Sequence, residues 1–441
     1  MKKTLTKREF LSVSIMLFGL FFGAGNLIFP PLLGHQAGSL TLQSLLFFSI
    51  TAVVFPILGV VAVARTKGLS NLANRVDPVF SLIYTSMIYL SIGPGLGIPR
   101  AGSLPFEMAI VQYLPEGYNV LGARLLYTAL FFFAAFLISL NPSELVNRVG
   151  KILTPVLLLL IIFMFVGVVY FNPNQVGTPT EAYMSNAPVK GFLEGYNTMD
   201  AIAALNFGLV ISLAIKSFRI DDEKKVIGYT IKSGILAGIV LFLVYGMLSY
   251  IGMTTEGLSK GAQNGAQILS KTVNYVFGDF GSILLISIFT LACLTTCIGL
   301  ITSGSQYFAD LTKNKINYKT WVVIWSTFSF IVANFGLNTI LKVSIPVLIS
   351  IYPVSLILIV IALAHKYFKF SNLSYRATVY VVTVIAIVEG LAYSKITIPF
   401  VSKFIMNLPL FTQSLGWVIP GFVVLFATTI ISKAIKIEEV K

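Results

Sequence analysis

The chain has 441 residues, of which 56% are hydrophobic and only 11% charged, with a formal net charge of +14. A soluble domain carries about a quarter of its residues as charges, so this composition excludes a soluble protein and indicates an all-α integral membrane protein. The positive balance does not indicate nucleic acid, because the Lys and Arg residues lie in short loops between apolar runs.

Apolar runs of about 18 residues or more mark membrane spans. In chain order they fall at 9–33, 40–64, 78–113, 120–140, 146–171, 191–215, 226–253, 280–311, 320–335, 338–364, 375–393 and 414–431, which predicts twelve transmembrane helices. No stretch alternates with period two as a barrel strand does. The first run is too long for the core of a cleavable signal peptide. Loop charge predicts the orientation. With Lys2, Lys3, Lys7 and Arg8 placed in the cytoplasm, the clusters around Arg65, Arg148, Lys216, Lys313, Lys366 and Lys433 follow to the same side. Only Arg124, Lys190, Lys260, Lys271, Lys395 and Lys403 remain outside. That asymmetry obeys the positive-inside rule and predicts both termini, with Lys436 and Lys441, in the cytoplasm.

The first span holds Gly19, Phe22, Gly23, Ala24, Gly25 and Asn26, and then Pro30 and Pro31. Loose backbone at membrane depth is tolerated only where it is buried in protein or lines a cavity. Two readings follow: a kinked helix whose glycines serve close packing, or a functional break with something to bind. In the third span Gly93, Pro94, Gly95, Gly97 and Pro99 predict a further interruption, followed by Arg100 and Glu107. Seven residues apart, those two share a face if helix resumes between them, as an internal charge pair or an outer gate. Two outer loops are longer than the rest. Segment 172–190 is expected to have little regular structure, and 253–279 to form a connector or a lid, with a short surface helix at 268–277.

The sixth span carries Asn197, Thr198, Asp200 and Asn206 among Ala201, Ala203, Ala204 and Gly208. A buried ionisable group costs at least about 2.5 kcal/mol at a helix centre, which makes Asp200 a functional candidate. Small residues around a polar interruption repeat the character of the first span. Residues 9–171 and 191–364 are therefore read as two five-helix repeats of opposite topology, followed by two additional helices at 375–431, within one transporter domain over 1–441. In the eighth span Thr295 and Thr296 offer adjacent hydroxyls to a cation, or simply bond back to their own helix. Cys293 and Cys297, without His or carboxylate neighbours, make a poor metal site and read as packing residues. Glu144, Glu194 and Glu389 lie nearer span ends, Lys342 can snorkel, and His35 and His365 sit at span edges.

These motifs carry a resemblance. Segments 17–38, 92–107, 196–208 and 291–300 resemble the first, third, sixth and eighth helices of the branched-chain amino acid:cation symporters (BrnQ-type carriers), relatives by fold of the LeuT-like transporters. The resemblance implies discontinuous helices 1 and 6. It implies a Na+ ion held by the carbonyls of Gly19, Phe22 and Ala292 and the hydroxyls of Thr295 and Thr296. It also implies a substrate site on the Gly23–Asn26 step, whose amides hold a carboxylate, and on the sixth helix with Thr198, Asp200, Ala203 and Phe207. Asp200 would bind the ammonium group, join a cation site or relay a proton. Ile202 and Tyr89 are further candidates for the pocket wall.

The expected function is import of leucine, isoleucine and valine across the cytoplasmic membrane, coupled to Na+. The alternative is proton-coupled transport of the same or other neutral amino acids. A hydrophobic pocket separates side chains one methylene apart by only about 1–3 kcal/mol, so the three would compete for one site. No covalent cofactor, nucleic acid or obligate protein partner is expected, only membrane lipid. No nucleotide-binding loop of the Gly-x-x-x-x-Gly-Lys type is present. A membrane enzyme using Asp200 and Glu194 as an acid pair would turn over substrate without a gradient. A channel would conduct far above carrier rates.

Overall fold

A Thr6 capping box opens the first helix, with the Glu9 carboxylate accepting from the Thr6 amide at 2.8 Å and the Thr6 hydroxyl accepting from the Glu9 amide at 3.3 Å. The computed structural model describes residues 4–115, 117–171 and 175–435, and these form helices joined by short turns. Lys2, Lys3, Lys436 and Lys441 lie outside the described residues.

The helices run α1 Lys7–Phe21, α2 Ala24–Ala37, α3 Thr41–Ser49, α4 Phe55–Thr66, α5 Leu69–Asn74, α6 Pro78–Leu90, α7 Gly97–Pro105, α8 Val120–Ser139, α9 Thr154–Phe171 and α10 Glu181–Asn197. They continue as α11 Asp200–Ser217, α12 Glu223–Thr254, α13 Gly265–Phe277, α14 Asp279–Leu311, α15 Tyr318–Ala333, α16 Leu337–Phe368, α17 Asn372–Tyr393, α18 Val401–Met406 and α19 Val418–Ala434. Side-chain caps mark several starts: Asp77 for α6, Asp222 for α12, Asn264 for α13, Asn317 for α15 and Ser371 for α17.

Among the described residues nine stretches are long and apolar enough to cross a membrane. Twelve continuous spans are not what helix length returns, and the reason is local. The first and sixth expected spans are each cut in two. Also, α1, α10, α15 and α19 hold 15, 17, 16 and 17 residues, below the ~20 that cross a bilayer unaided. Segment 172–190 also departs from expectation, because α10 begins at Glu181, with a kink at Asn186. Residues 172–174 lie outside the described residues. The last helix starts at Val418 rather than 414.

Glycines let two short helices touch their neighbours backbone to backbone. A Cβ on Gly34 of α2 would stand 1.9 Å from the Ser249 carbonyl oxygen of α12, and one on Gly252 of α12 would stand 1.9 Å from that of Pro31. On the other side, a Cβ on Gly191 or Gly195 of α10 would meet the Ser44 or Phe48 carbonyl oxygen of α3 at 2.1 or 2.3 Å. One half-helix of each broken span thus lies against the helix that follows the other broken span. The long helix α14 runs alongside α7, α9, α11 and α15 at the centre. The C-terminal helices pack outside this set. There α17 reaches the corner before α6, Arg376 Nε donating to the Val76 carbonyl at 2.7 Å and the Tyr380 hydroxyl donating to Asp77.

Candidate functional site

Between α1 and α2 the chain leaves helix at Phe22 and Gly23. The Gly23 N–H donates to the Phe21 carbonyl at 2.8 Å, so the Gly19 carbonyl four residues back loses its helical donor. Gly23 is extended (φ −100°, ψ −166°), and α2 starts immediately after it. Ala24, Gly25 and Asn26 are then the first residues of a helix, whose amides have no partner within it and form its positive end. The break therefore lies at the front of the Gly23–Asn26 step. Gly25 itself is helical, and a Cβ there would meet only the Phe29 ring at 3.7 Å.

The second break is at Thr198 and Met199. Met199 is left-handed (φ 58°, ψ 22°), and α11 begins with Asp200. An unbranched side chain tolerates that conformation at a cost of order 1 kcal/mol, and such residues gather where the surroundings require them. The two breaks face each other. Asn26 Nδ2 donates to Asp200 Oδ2 at 2.9 Å and also to the Tyr245 hydroxyl of α12, while the Thr198 hydroxyl donates to the Gly195 carbonyl at 2.8 Å. Asp200 is 7% exposed and Asn26 2%. Tyr245, which sequence reasoning passes over, carries no signal of its own. Its place follows from the packing of α12 on α2.

The cation candidates on α1 and α14 also approach each other. A Cβ on Gly23 would stand 3.1 Å from Thr296 Oγ1. Thr295 Oγ1 donates to the Leu291 and Ala292 carbonyls at 3.0 and 3.1 Å, and Thr296 Oγ1 to that of Ala292 at 3.2 Å. Both hydroxyls therefore back-bond, yet each oxygen keeps lone pairs for a cation. The Ala292 carbonyl, by contrast, already accepts both. A further oxygen is one the sequence does not announce. Thr154, first residue of α9, is fully buried with no hydrogen-bond partner among the described residues, and a Cβ on Gly19 would come 2.1 Å from its Oγ1. An orphaned hydroxyl at Gly19 and a threonine hydroxyl at Gly23 thus flank the end of α1 where α9 and α14 adjoin it, oxygens of the kind a hard monovalent cation takes.

Other expected residues stand elsewhere. Phe207 is two turns beyond Asp200, about 10 Å along the helix axis, and edge-on to Phe21, the last residue before the first break, with ring centroids 5.4 Å apart. Ala203 remains within the first turn of α11, half-buried. Tyr89 stacks on Tyr307 at 4.3 Å in a cleft with Lys67 and Asp310, away from Asn26 and Asp200. Glu107 does not pair with Arg100. It meets Arg124, Nη1 to Oε1 at 3.3 Å. The shared face assumed unbroken α-helix from 100 to 107, but α7 ends at Pro105 and a π-turn over Phe106–Ile110 rotates Glu107 off it. Arg100 is half-buried in the first turn of α7.

Comparison with known proteins adds the following. A family model described as "Branched-chain amino acid transport protein" matches residues 6–435. The chain is 40% identical to the branched-chain amino acid permease BraB of Bacillus subtilis over 96% of its length and 95% of the relative's. It is 38% identical to the branched-chain amino acid transport system 2 carrier protein of Pseudomonas aeruginosa, over 93% of both. Among solved structures it superposes on MhsT in complex with L-phenylalanine (TM-score 0.54, 14% identity, 98% of this chain and 99% of that one). It also superposes on Mhp1, a nucleobase-cation-symport-1 family transporter (TM-score 0.58, 13% identity, 97% and 92%). Those two likenesses establish the LeuT-like fold.

Proposed function

The chain belongs to the branched-chain amino acid transport protein family, and from that premise we propose that it imports leucine, isoleucine and valine across the cytoplasmic membrane by sodium symport. It is a multi-pass membrane transporter and not an enzyme. The observation that carries the reading is the hydrogen bond between Asn26 and Asp200, which joins two interrupted helices at the place where each exposes unpaired peptide groups. A zwitterion needs an anion-binding helix end and a carboxylate for its amine. The amides of Ala24, Gly25 and Asn26 provide the first, and Asp200 with Thr198 the second. Twelve spans in a 5+5 inverted arrangement, with both termini cytoplasmic, complete the proposal. The packing of α2 on α12 and of α11 on α4, where a Cβ on Gly208 would stand 2.6 Å from Val63 Cγ1, supports it, since the repeat maps the second half of the first span and the helix after the sixth onto the second half of the sixth span and the helix after the first.

Sodium is proposed as the coupling ion on the oxygens of Gly19, Phe22, Thr295, Thr296 and Thr154, with the Ala292 carbonyl a weaker sixth. In proteoliposomes at fixed pH, leucine uptake should rise saturably with sodium and collapse when the gradient is dissipated. Uptake indifferent to sodium but driven by a proton gradient would replace the ion. Thr295→Ala should raise the sodium concentration for half-maximal uptake about tenfold, the loss of one oxygen contact worth ~1–1.5 kcal/mol. An unchanged sodium curve would move the ion elsewhere.

Thr154→Val separates a ligand from a packing residue. An orphaned buried hydroxyl costs about 1–3 kcal/mol, so valine should leave thermal stability without sodium equal or higher. The sodium requirement should nevertheless increase several-fold. Higher stability with an unaltered sodium curve would make Thr154 a filler.

A further inference from the structure

Arg100 is the one strongly basic group at the centre of the bundle, among the described residues, that the reading above leaves unused. It enters from the first turn of α7, directly after the chain is broken at Gly93 (φ −84°, ψ −131°) and Leu96. Pressed against Trp325, whose Cζ3 would lie 2.2 Å from a Cβ on Gly93, that break fixes where α7 starts. Cys297 Sγ contacts the Ile98 carbonyl at 3.7 Å, so the same turn lies on α14. Among the described residues the guanidinium makes no hydrogen bond and no ion pair, Glu107 being engaged by Arg124. Its nitrogens are not among the sealed-off polar atoms either, and the side chain keeps part of its surface although it sits in the interior. A guanidinium that is neither paired nor sealed faces a space that something polar must fill, because an uncompensated charge at this depth is costly.

Its surroundings specify the occupant. Arg100 and Asp200 feel each other's charge yet are not in contact. The turn that carries Arg100 meets α14 at Cys297, through the Ile98 carbonyl, and the first break meets it at the adjacent Thr296, 3.1 Å from a Cβ on Gly23, so the start of α2 and the start of α7 lie against one turn of α14. Asn26, Thr198 and Tyr245 cluster instead on the Asp200 side. A cationic group at the start of α7 and an anionic group at the start of α11 are therefore held apart beside the first break. We propose that Arg100 is the anchor for the substrate's carboxylate, taking it with the amides of Ala24 and Gly25 while Asp200 takes the ammonium group. A planar fork matches a carboxylate with two parallel hydrogen bonds, which a lysine cannot reproduce. The inference rests on the reading of the protein as an amino acid carrier and assigns the end of the zwitterion that each charge reads.

The test uses purified full-length protein in detergent with saturating sodium, and compares leucine with leucinol, which keeps the amine and side chain but lacks the carboxylate. Ligand-dependent thermal stabilisation gives both affinities without transport. Wild type should bind leucine at least ~100-fold more tightly than leucinol. Arg100→Gln should lower leucine affinity by about 30-fold or more while changing leucinol affinity less than about threefold, which collapses the ratio. Arg100→Lys, which keeps the charge and serves if the glutamine variant does not fold, should fall between. Retention of the wild-type ratio in either variant overturns the assignment and makes Arg100 a distant counter-ion of Asp200. Equal binding of leucine and leucinol by wild type overturns it without any variant. Wild type that binds no leucine at all removes the carrier reading itself, a different failure from the preceding ones.

Discussion

Asp200→Asn should reduce sodium-driven leucine uptake by about 100-fold or more in a protein that still folds. The substitution preserves shape and removes charge. The new carboxamide can still face Asn26, so the hydrogen bond that ties α2 to α11 can be re-made after an amide flip, and the 7% exposed site keeps its volume. What disappears is the anionic group held apart from Arg100. Truncating one charge of a desolvated, hydrogen-bonded pair costs ~2–5 kcal/mol, and ~2.7 kcal/mol is a factor of ~100. Asp200→Glu should fall between, since an extra methylene carries the carboxylate past Asn26 from a helix start that cannot retreat past left-handed Met199. Vesicle uptake with a monodispersity check on the purified variant decides it. Uptake within about threefold of wild type would retire Asp200 from the substrate site. Loss of proton-driven uptake alone, with the sodium-driven component intact, would make it a proton relay.

How much of this is legible in the sequence differs from one break to the other. Gly23, Gly25 and Asn26 advertise an interruption in the first span, because glycines and a polar amide inside an apolar run conflict with a plain membrane helix. Its position is not legible to the residue. Gly25 can continue a helix, and only the Gly23 N–H turning back to Phe21 shows where the winding stops. In the sixth span Asp200 is conspicuous, but the break falls on Thr198 and Met199, and methionine is no turn residue. Arg100 stands out in the sequence beside the wrong neighbour, because a π-turn leaves no periodic trace and shifts every later residue off its expected face. Thr154 and Tyr245 cannot be read at all. Their importance arises from contact with Gly19 and Asn26 across 135 and 219 positions of chain, and local patterns hold no information at that range.

Gly252→Ala should cost about 3 kcal/mol or more and take function with it, while Gly246→Ala on the same helix should be nearly silent. A methyl group on Gly252 would lie 1.9 Å from the Pro31 carbonyl oxygen, 2.8 Å from its carbon and 2.9 Å from the His35 amide nitrogen, all backbone that cannot rotate aside. At Gly246 the nearest atom is Leu45 Cδ2 at 4.0 Å, the end of a flexible side chain. Overpacking a rigid interface costs ~1–3 kcal/mol and sometimes more, whereas alanine in open space gains some helix propensity, up to ~1 kcal/mol. The displacement also has a direction. Pushing α2 off α12 near Pro31 tilts the half-helix whose first turn holds Ala24, Gly25 and Asn26, and separates Asn26 from Tyr245 two turns away on α12. Gly252→Ala that survives purification should therefore bind leucine more weakly, although residue 252 lies two turns from Tyr245 and its added methyl would meet Pro31 and His35. Equal melting temperatures for the two alanine variants would mean that α2 is free to move away from α12. The two helices would then not be held by backbone contact, and the broken first span would lose the support that keeps its peptide groups aimed at Asp200.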